Sequence, residues 1–360
     1  MGRWTGWWAL GLVVALACSV PAPPPAPAPA PAAERNQPAA AGAPSPPPRA
    51  TVRVGHAPAL SNAGMYLASE RGYFAEEGLD IEYVSFDAAA RMIAALGADQ
   101  LDVGAGGASA GLFNAVARGV GLRIVGPLAR HEPGHSGVHI TVRQDLVENG
   151  SIRDYPDFRG RTVAIAAKAS VNEYAAHLLA ERGGFPASEL NLVELGFPDM
   201  VSAFANGAID AAIQADPTAT VAAERGSAVK WREIADLEPR FQFTVVLYSA
   251  ALATERADVG RRWMTAYLRG VRDYHEAGVL GRDRATILAV AGRYVPIADP
   301  ALFERSGWTI VDPNGEIDRP SLEGQLRWLI AQGAVPPSVT LDALLDSRFA
   351  AAAVERLGRY

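Results

Sequence analysis

Apolar and polar positions alternate at the start of the globular part of this chain. Thr51–Ala57 reads TVRVGHA, a period of two that predicts a strand. Pro58–Ser61 supplies turn residues. From Asn62 or Ala63 the apolar spacing becomes helical and runs to Glu77, where Gly78 stops it. The same reading predicts a strand over Leu79–Ser85, a helix over Ala88–Leu96, a strand over Leu101–Ala105, a helix over Ser109–Arg118 and a strand over Leu122–Leu128. That βαβαβαβ order is the signature of a parallel sheet covered by helices. A polar loop, His131–Gly137, leads to a strand over Val138–Arg143, and Gln144–Phe158 reads as a loop around Gly150 and Pro156.

The pattern then restarts. Strands over Thr162–Ala166, Leu192–Leu195 and Asp210–Gln214 alternate with helices over Asn172–Arg182, Met200–Ala205 and Thr218–Arg225. Val245–Ala253 reads as a long strand that returns the chain to the first unit. The remainder is helical: Asp258–Ala277, Arg284–Tyr294, Pro300–Arg305, Leu322–Gln332 and Leu341–Leu357. Trp263, Tyr267, Leu268, Val271 and Tyr274 share one helix face and are expected in the core.

One stretch recurs. MIAALGADQLDVGAGGAS (Met92–Ser109) lines up with VSAFANGAIDAAIQADPT (Val201–Thr218). In both, an apolar helix, an aspartate (Asp102, Asp210), a small-residue strand and a turn lead to another helix, which predicts two similar lobes. Ligands of open α/β sheets bind beyond the carboxyl ends of strands. Asp102 and Asp210 precede their strands, so they are expected at the far ends, as turn or helix-terminus residues. Asp216 follows its strand, before Pro217, and is expected at the cleft, either holding a cationic or amine group of a ligand or serving as a plain turn residue.

Composition adds bounds. The chain has 360 residues, 49% of them apolar and 20% charged, with a net charge of −6, which is ample for a packed core of one or two domains. No basic patch interleaved with aromatics stands out, so nucleic acid is not an expected partner. Arg3 followed by the apolar run Trp7–Ala17 has the form of a secretory signal, too short to span a bilayer comfortably. It ends on Cys18, the only cysteine in the chain. A lone cysteine there resembles a bacterial lipoprotein cleavage site, although Ala15 stands where Leu or Val is usual. Residues 19–50 hold 12 of the 26 prolines. They are expected to form a polyproline-type tether of about 3.1 Å per residue. Anchor, tether and body together place the protein outside the cytoplasm, held at a membrane.

Four motifs carry candidate chemistry. Gly104-x-Gly106-x-x-Ser109 has the context of a dinucleotide loop, but its third position is Ser and no acidic residue lies about twenty residues on, so that reading is rejected. Gly107-Ala108-Ser109-Ala110-Gly111 matches a nucleophile elbow. It keeps open a serine hydrolase with an aspartate and His275 downstream, against which Ser109 as a helix N-cap is the plainer reading. His131, His135 and His139 are spaced closely enough for metal, but Pro133 and Gly134 prevent a helical pair; a solvated loop and no metal are expected. Finally, Asn62, Ser109 and Asn172 each stand where a helix begins after a strand, a ready-made site for an anion or carbonyl. The cleft turns carry Ser61 and Asn62, Gly106, Gly107, Ala108 and Ser109, and Ala169, Ser170 and Asn172. With Asp216 they are the expected ligand-binding residues. Such groups hold ligands rather than transform them, so neither catalysis nor a cofactor is expected.

At this point the residues resemble a family. AGMYLASERGYFAEEGLDIEYV (Ala63–Val84), LDVGAGGAS (Leu101–Ser109), DFRGRTVAI (Asp157–Ile165) and FANGAIDAAIQADP (Phe204–Pro217) are similar, in register and order, to solute-binding proteins of bacterial ABC importers. The group is that of sulfonate, taurine and nitrate binders, which also includes binders of thiamine pyrimidine precursors. The resemblance implies the two-lobed α/β periplasmic-binding-protein fold of type II, a monomer closing on its solute, and an ABC permease as partner. It implies hinge strands at Val138–Arg143 and Val245–Ala253, a first lobe over 51–142 and 250–360, and a second over 143–246. The pyrimidine-precursor branch often has His at the position of Asn62. The same fold hosts a pyrimidine-synthesising enzyme with a cysteine-rich motif, which this chain lacks. The solute is left as a sulfonate, a pyrimidine-like or another small organic compound. Lys168 is the one basic residue near a cleft turn, which favours a neutral or weakly polar ligand. A ligand-sensing ectodomain without a transporter is a further alternative.

Overall fold

A strand that is apolar on both faces must be covered on both faces, and Val103–Gly106, buried at every position, meets that need. The computed structural model describes residues 48–86, 91–295 and 301–360. β1 (Ala50–His56) lies between β2 (Leu79–Ser85) and β3 (Val103–Gly106), all parallel. β4 (Arg123–His131) completes the first sheet from the far side. The second sheet is built from β5 (Val138–Arg143), β6 (Thr162–Ile165), β7 (Asn191–Glu194), β8 (Ala211–Ala215) and β9 (Ala228–Glu233). β10 (Phe241–Tyr248) returns to the first sheet, antiparallel between β3 and β4. The strand orders are β2-β1-β3-β10-β4 and β7-β6-β8-β5-β9. β3 and β8, the strands of the recurring stretch, hold the same third place in their sheets.

Several expectations need correction. Val138–Arg143 pairs entirely within the second sheet and Phe241–Tyr248 entirely within the first. The chain therefore crosses between sheets in the segments 132–137 and 234–240, not in the strands expected to be hinges. By sheet membership, the second unit starts at Val138 and the first resumes at Phe241. The long strand expected over Val245–Ala253 starts earlier and stops at Tyr248, because Ser249 accepts the Leu252 N–H at 3.3 Å and caps a short helix, Ala250–Ala253. The helix expected up to Glu77 is broken into Ala63–Glu70 and Tyr73–Glu76 by Gly72 at φ +74°. β9 was not foreseen, and the loop expected over Gln144–Phe158 contains a helix, Gln144–Glu148. Leu341–Leu357 divides into a 3-10 turn, Leu341–Ala343, and the helix Arg348–Leu357. The start of the helix expected at Ala88, together with Pro300, Cys18 and the tether up to residue 47, lies outside the described residues.

The two aspartates of the recurring stretch do the same work. Asp102 accepts the Arg53 N–H at 2.8 Å and pairs with Arg256 at 2.6 Å. Asp210 accepts the Thr162 N–H at 3.0 Å and pairs with Arg143 at 3.3 Å. Each ties the start of its sheet's third-place strand to the neighbouring strand, β1 or β6, away from the cleft.

One core fills the first unit around Val52, Val54, Tyr66, Trp263 and Tyr267. A second runs through both units, joining Leu112 and Phe241 to Val163, Leu179 and Ile213, and reaching Leu322, Leu326 and Leu329 on the helix Arg319–Ala331. That helix therefore bridges the two sheets: Gln325 donates to the Gln242 carbonyl in β10 at 2.8 Å, and Trp328 packs on Tyr174 of the second unit.

Candidate functional site

Helices that begin after the sheets' strands aim their N-terminal ends at the space between the two units. Ser109 caps the helix Ala110–Ala117, its Oγ accepting the Leu112 N–H at 3.3 Å. Ser170 caps the helix Val171–Arg182, accepting the Asn172 N–H at 3.2 Å and donating to the Ala167 carbonyl at 2.6 Å. These two turns meet. Ser109 and Ser170 form an antiparallel bridge, and the Ala110 N–H donates to the Ala169 carbonyl at 2.8 Å. Ala169 reaches this position in the left-handed region, φ +47°, which costs a residue with a Cβ about 1–2 kcal/mol. Its own N–H is held by the Glu173 carboxylate. Gly107 permits the approach, since a Cβ there would sit 2.9 Å from Val171 Cγ1 and 3.1 Å from the Phe243 carbonyl oxygen. The units are closed upon each other.

Behind this contact lies a cavity of about 110 Å³. Of the expected ligand-binding residues, Ser61, Asn62, Gly107, Ala108, Ser109, Ser170, Asn172 and Asp216 line it. Gly106 and Ala169 do not: Gly106 is paired with Val245 inside the sheet, and the Ala169 carbonyl is turned to Ala110. Asn62 is spent internally, donating to the Ala57 carbonyl at 2.7 Å and to the Tyr66 hydroxyl at 3.2 Å.

Asp216 is not available to a ligand cation. Its Oδ2 accepts from His139 Nε2 at 2.9 Å, Lys230 Nζ at 3.1 Å and the Gly307 N–H at 2.7 Å. Its Oδ1 accepts from the Thr220 N–H at 3.1 Å and hydroxyl at 2.8 Å. Burial by itself raises a carboxyl's pKa. Here the hydrogen bond from His139, the Lys230 ammonium and the Gly307 N–H outweigh it and hold Asp216 well below the usual carboxylate range. The residue is a buried junction. Through Gly307 it fastens the second unit to the segment Ser306–Val311, whose Ile310 pairs with Arg130 of β4. At Gly307 a Cβ would fall 1.6 Å from the Ser136 carbonyl oxygen, so this strap fits against the crossing segment only as glycine.

The histidine loop is not solvated as expected. His131 and His139 are 1% and 5% exposed, folded under the strap. No group of three or more His, Cys, Asp or Glu suited to a metal is present among the described residues. His131 Nδ1 accepts the Gly137 N–H at 3.2 Å, while the Ser136 hydroxyl donates to the Val138 carbonyl at 2.8 Å. The ring proton is thereby assigned to Nε2. Burial, reinforced by nearby His139 and opposed by Asp216, lowers the His131 pKa to about 3, so the ring is neutral.

Four buried polar atoms on the cavity-lining residues have no partner: His131 Nε2, Asn172 Oδ1, Thr244 Oγ1 and Thr309 Oγ1. Buried polar groups without partners are rare and expensive. Only Asn172 was foreseen. Phe243 and Thr244 both line the cavity although neighbours on a strand face opposite ways. The register of β10 against β4 slips between Gln242 and Thr244 and again before Val245, an irregularity of the kind that re-aims side chains. Nothing in the local sequence marks that slip. Thr309 reaches the cavity through the strap, and Leu128, Val138, Val171 and Phe197 add apolar walls. Lys168 is exposed, 3.9 Å from Glu194, and among the described residues no Lys or Arg lines the cavity. Ser109 has no histidine hydrogen-bonded to it among the described residues. His275 stands elsewhere, edge-on to Tyr360.

Two five-stranded α/β units closed on one cavity define the fold of periplasmic solute-binding proteins. The chain belongs to the NMT1/THI5-like family, whose model matches residues 60–277. No curated protein sequence matches it. The ligand-binding component of an ABC-type import system from Staphylococcus aureus, with zinc bound, is similar in structure at a TM-score of 0.70 and 14% identity, over 85% of this chain and 99% of that one. The alkanesulfonate-binding protein SsuA from Xanthomonas axonopodis pv. citri, bound to MOPS, follows at 0.65 and 22%, over 83% and 99%. The nitrate-binding protein NrtA from Synechocystis PCC 6803 is similar at 0.69 and 13%, over 86% and 89%.

Proposed function

We propose that this protein is an extracytoplasmic receptor that encloses a small organic solute between its two units and delivers it to an ABC permease. The observation that carries the reading is the largely apolar cavity between the units, beneath two helix-capping turns that bond directly to each other. Family membership and the fold of known importer components support the role. The residues around the ligand in this reading are those that line the cavity: Ser61, Asn62, Ala108, Ser109, Ser170 and Asn172, with His131, Thr244 and Thr309. The protein acts as a monomer, lipidated at Cys18 and held by the proline-rich tether. No described helix is long and apolar enough to cross a membrane. The role is binding and not turnover: Ser109 caps its helix by accepting the Leu112 N–H, and among the described residues no histidine is hydrogen-bonded to it.

Native mass spectrometry of the purified full chain tests this directly. A small molecule is expected to co-purify, and re-adding it at 100 times its dissociation constant is expected to stabilise the protein by about 2.7 kcal/mol. Absence of any bound solute with a flat melting screen, or chemical conversion of the bound compound, counts against the receptor. Cys18→Ala is expected to move the protein from the membrane fraction to the soluble fraction.

A further inference from the structure

Resting on the receptor reading above, we infer that the cavity is built for an uncharged compound, apolar in body, and that it rejects sulfonates, nitrate and carboxylates.

Three observations carry this. First, no Lys or Arg lines the cavity among the described residues, and Lys230, beside the wall residue Asp216, is neutralised by it at 3.1 Å. An anion enclosed here would lose its hydration without a countercharge, at a cost of several kcal/mol per ion. Second, several of the N–H donors at the helix ends that would otherwise receive an anion are occupied. The Ala110 N–H is given to the Ala169 carbonyl, the Leu112 N–H to Ser109 Oγ and the Asn172 N–H to Ser170 Oγ. The partial positive charge of a helix N-terminus acts through such N–H groups, and these have protein partners. Third, the acidic side chain on the wall, Asp216, is satisfied by five donors and paired with Lys230, so it offers an anion no net attraction.

What is left to recognise a ligand is neutral and largely apolar. Leu128, Val138 and Val171 wall the cavity, and Phe197 and Phe243 supply flat apolar surface on opposite units. An uncharged group on a compact ring or chain suits this lining.

Matched probe pairs test it on the full chain by calorimetric titration: nicotinamide against nicotinate, benzamide against benzoate, with nitrate and propane-1-sulfonate as separate anions. The uncharged member of each pair is expected to bind at least tenfold tighter, and the two separate anions not at all. Anions binding as well as or better than their uncharged partners would overturn the inference and leave the receptor standing. If no probe binds, the charge of the co-purified compound at neutral pH decides: an anion overturns the inference and an uncharged molecule supports it. If nothing co-purifies and nothing binds, the receptor reading fails, and the inference with it.

Discussion

The turn after β3 and the turn after β8 come from the same recurring stretch of sequence, yet they perform opposite tasks. Gly107–Ser109 is uncharged and packs so closely on the other unit that a Cβ at Gly107 would collide with it. Asp216–Pro217 carries a buried carboxylate that gathers five hydrogen bonds and fastens the second unit to the strap at Gly307. Across the cleft Ser109 meets not its counterpart in the repeat but Ser170, at the end of β6. Two units of like topology thus share their scaffold, as Asp102 and Asp210 illustrate, and diverge at the ends of their strands. The lesson is that a repeat predicts where a turn lies and not what faces it.

The largest effect is expected at the carboxylate. Asp216→Asn leaves the Lys230 ammonium and the His139 donor without their charged partner, and breaking a buried pair in this way costs about 3–5 kcal/mol. Asp102→Asn should cost clearly less, because Arg53 and Arg256 remain partly in water, at 41% and 35% side-chain exposure. Urea denaturation of the two variants compares them, and equal losses would erase the distinction between scaffold and junction.

Acid should reveal the buried histidines next. His56, in the first unit, is lowered to about 4 by burial, and His131, at the crossing, to about 3. Both folded values lie below the unfolded value of about 6.5. The unfolded chain therefore binds more protons as pH falls below that value. Stability is full above about pH 6.5 and declines by up to about 1.4 kcal/mol per pH unit for each histidine until the folded pKa is reached. Melting temperatures between pH 7 and 4 measure this, and His131→Gln should flatten the decline. An unchanged slope in that variant would place the acid sensitivity elsewhere.

Gly107→Ala should cost about 1–3 kcal/mol, the usual range for overpacking. It should also push the units apart, visible as a larger radius of gyration in X-ray scattering and as weaker solute binding. The smallest effects belong to the caps. Ser109→Ala and Ser170→Ala are each expected to lose about 1 kcal/mol. Because the two serines touch, the double variant should deviate from the sum. Strict additivity would mean that the bridge between the units contributes nothing.

How much was legible varies with the range of the interaction involved. Short-range signals read well: alternation placed the first three strands, helical spacing buried Trp263 and Tyr267, and glycine with serine marked the turns that line the cavity. Asp216 was placed at the cleft by its position after a strand, but its partners Lys230 and Gly307 are 14 and 91 residues away, so its saturation was invisible. The histidine loop reads as polar in sequence and is buried, because the strap from beyond residue 300 covers it.

The sequence by itself determined the two α/β units, the N-cap at Ser109 and the scaffold aspartates, since each depends on residues within one element or one repeat. Only the tertiary structure decided that the chain crosses outside its strands, that Ser109 meets Ser170, and that His131, Thr244 and Thr309 complete the cavity. Those outcomes depend on a slip in strand register and on a distant strap, and neither leaves a periodic trace in the residues that it controls.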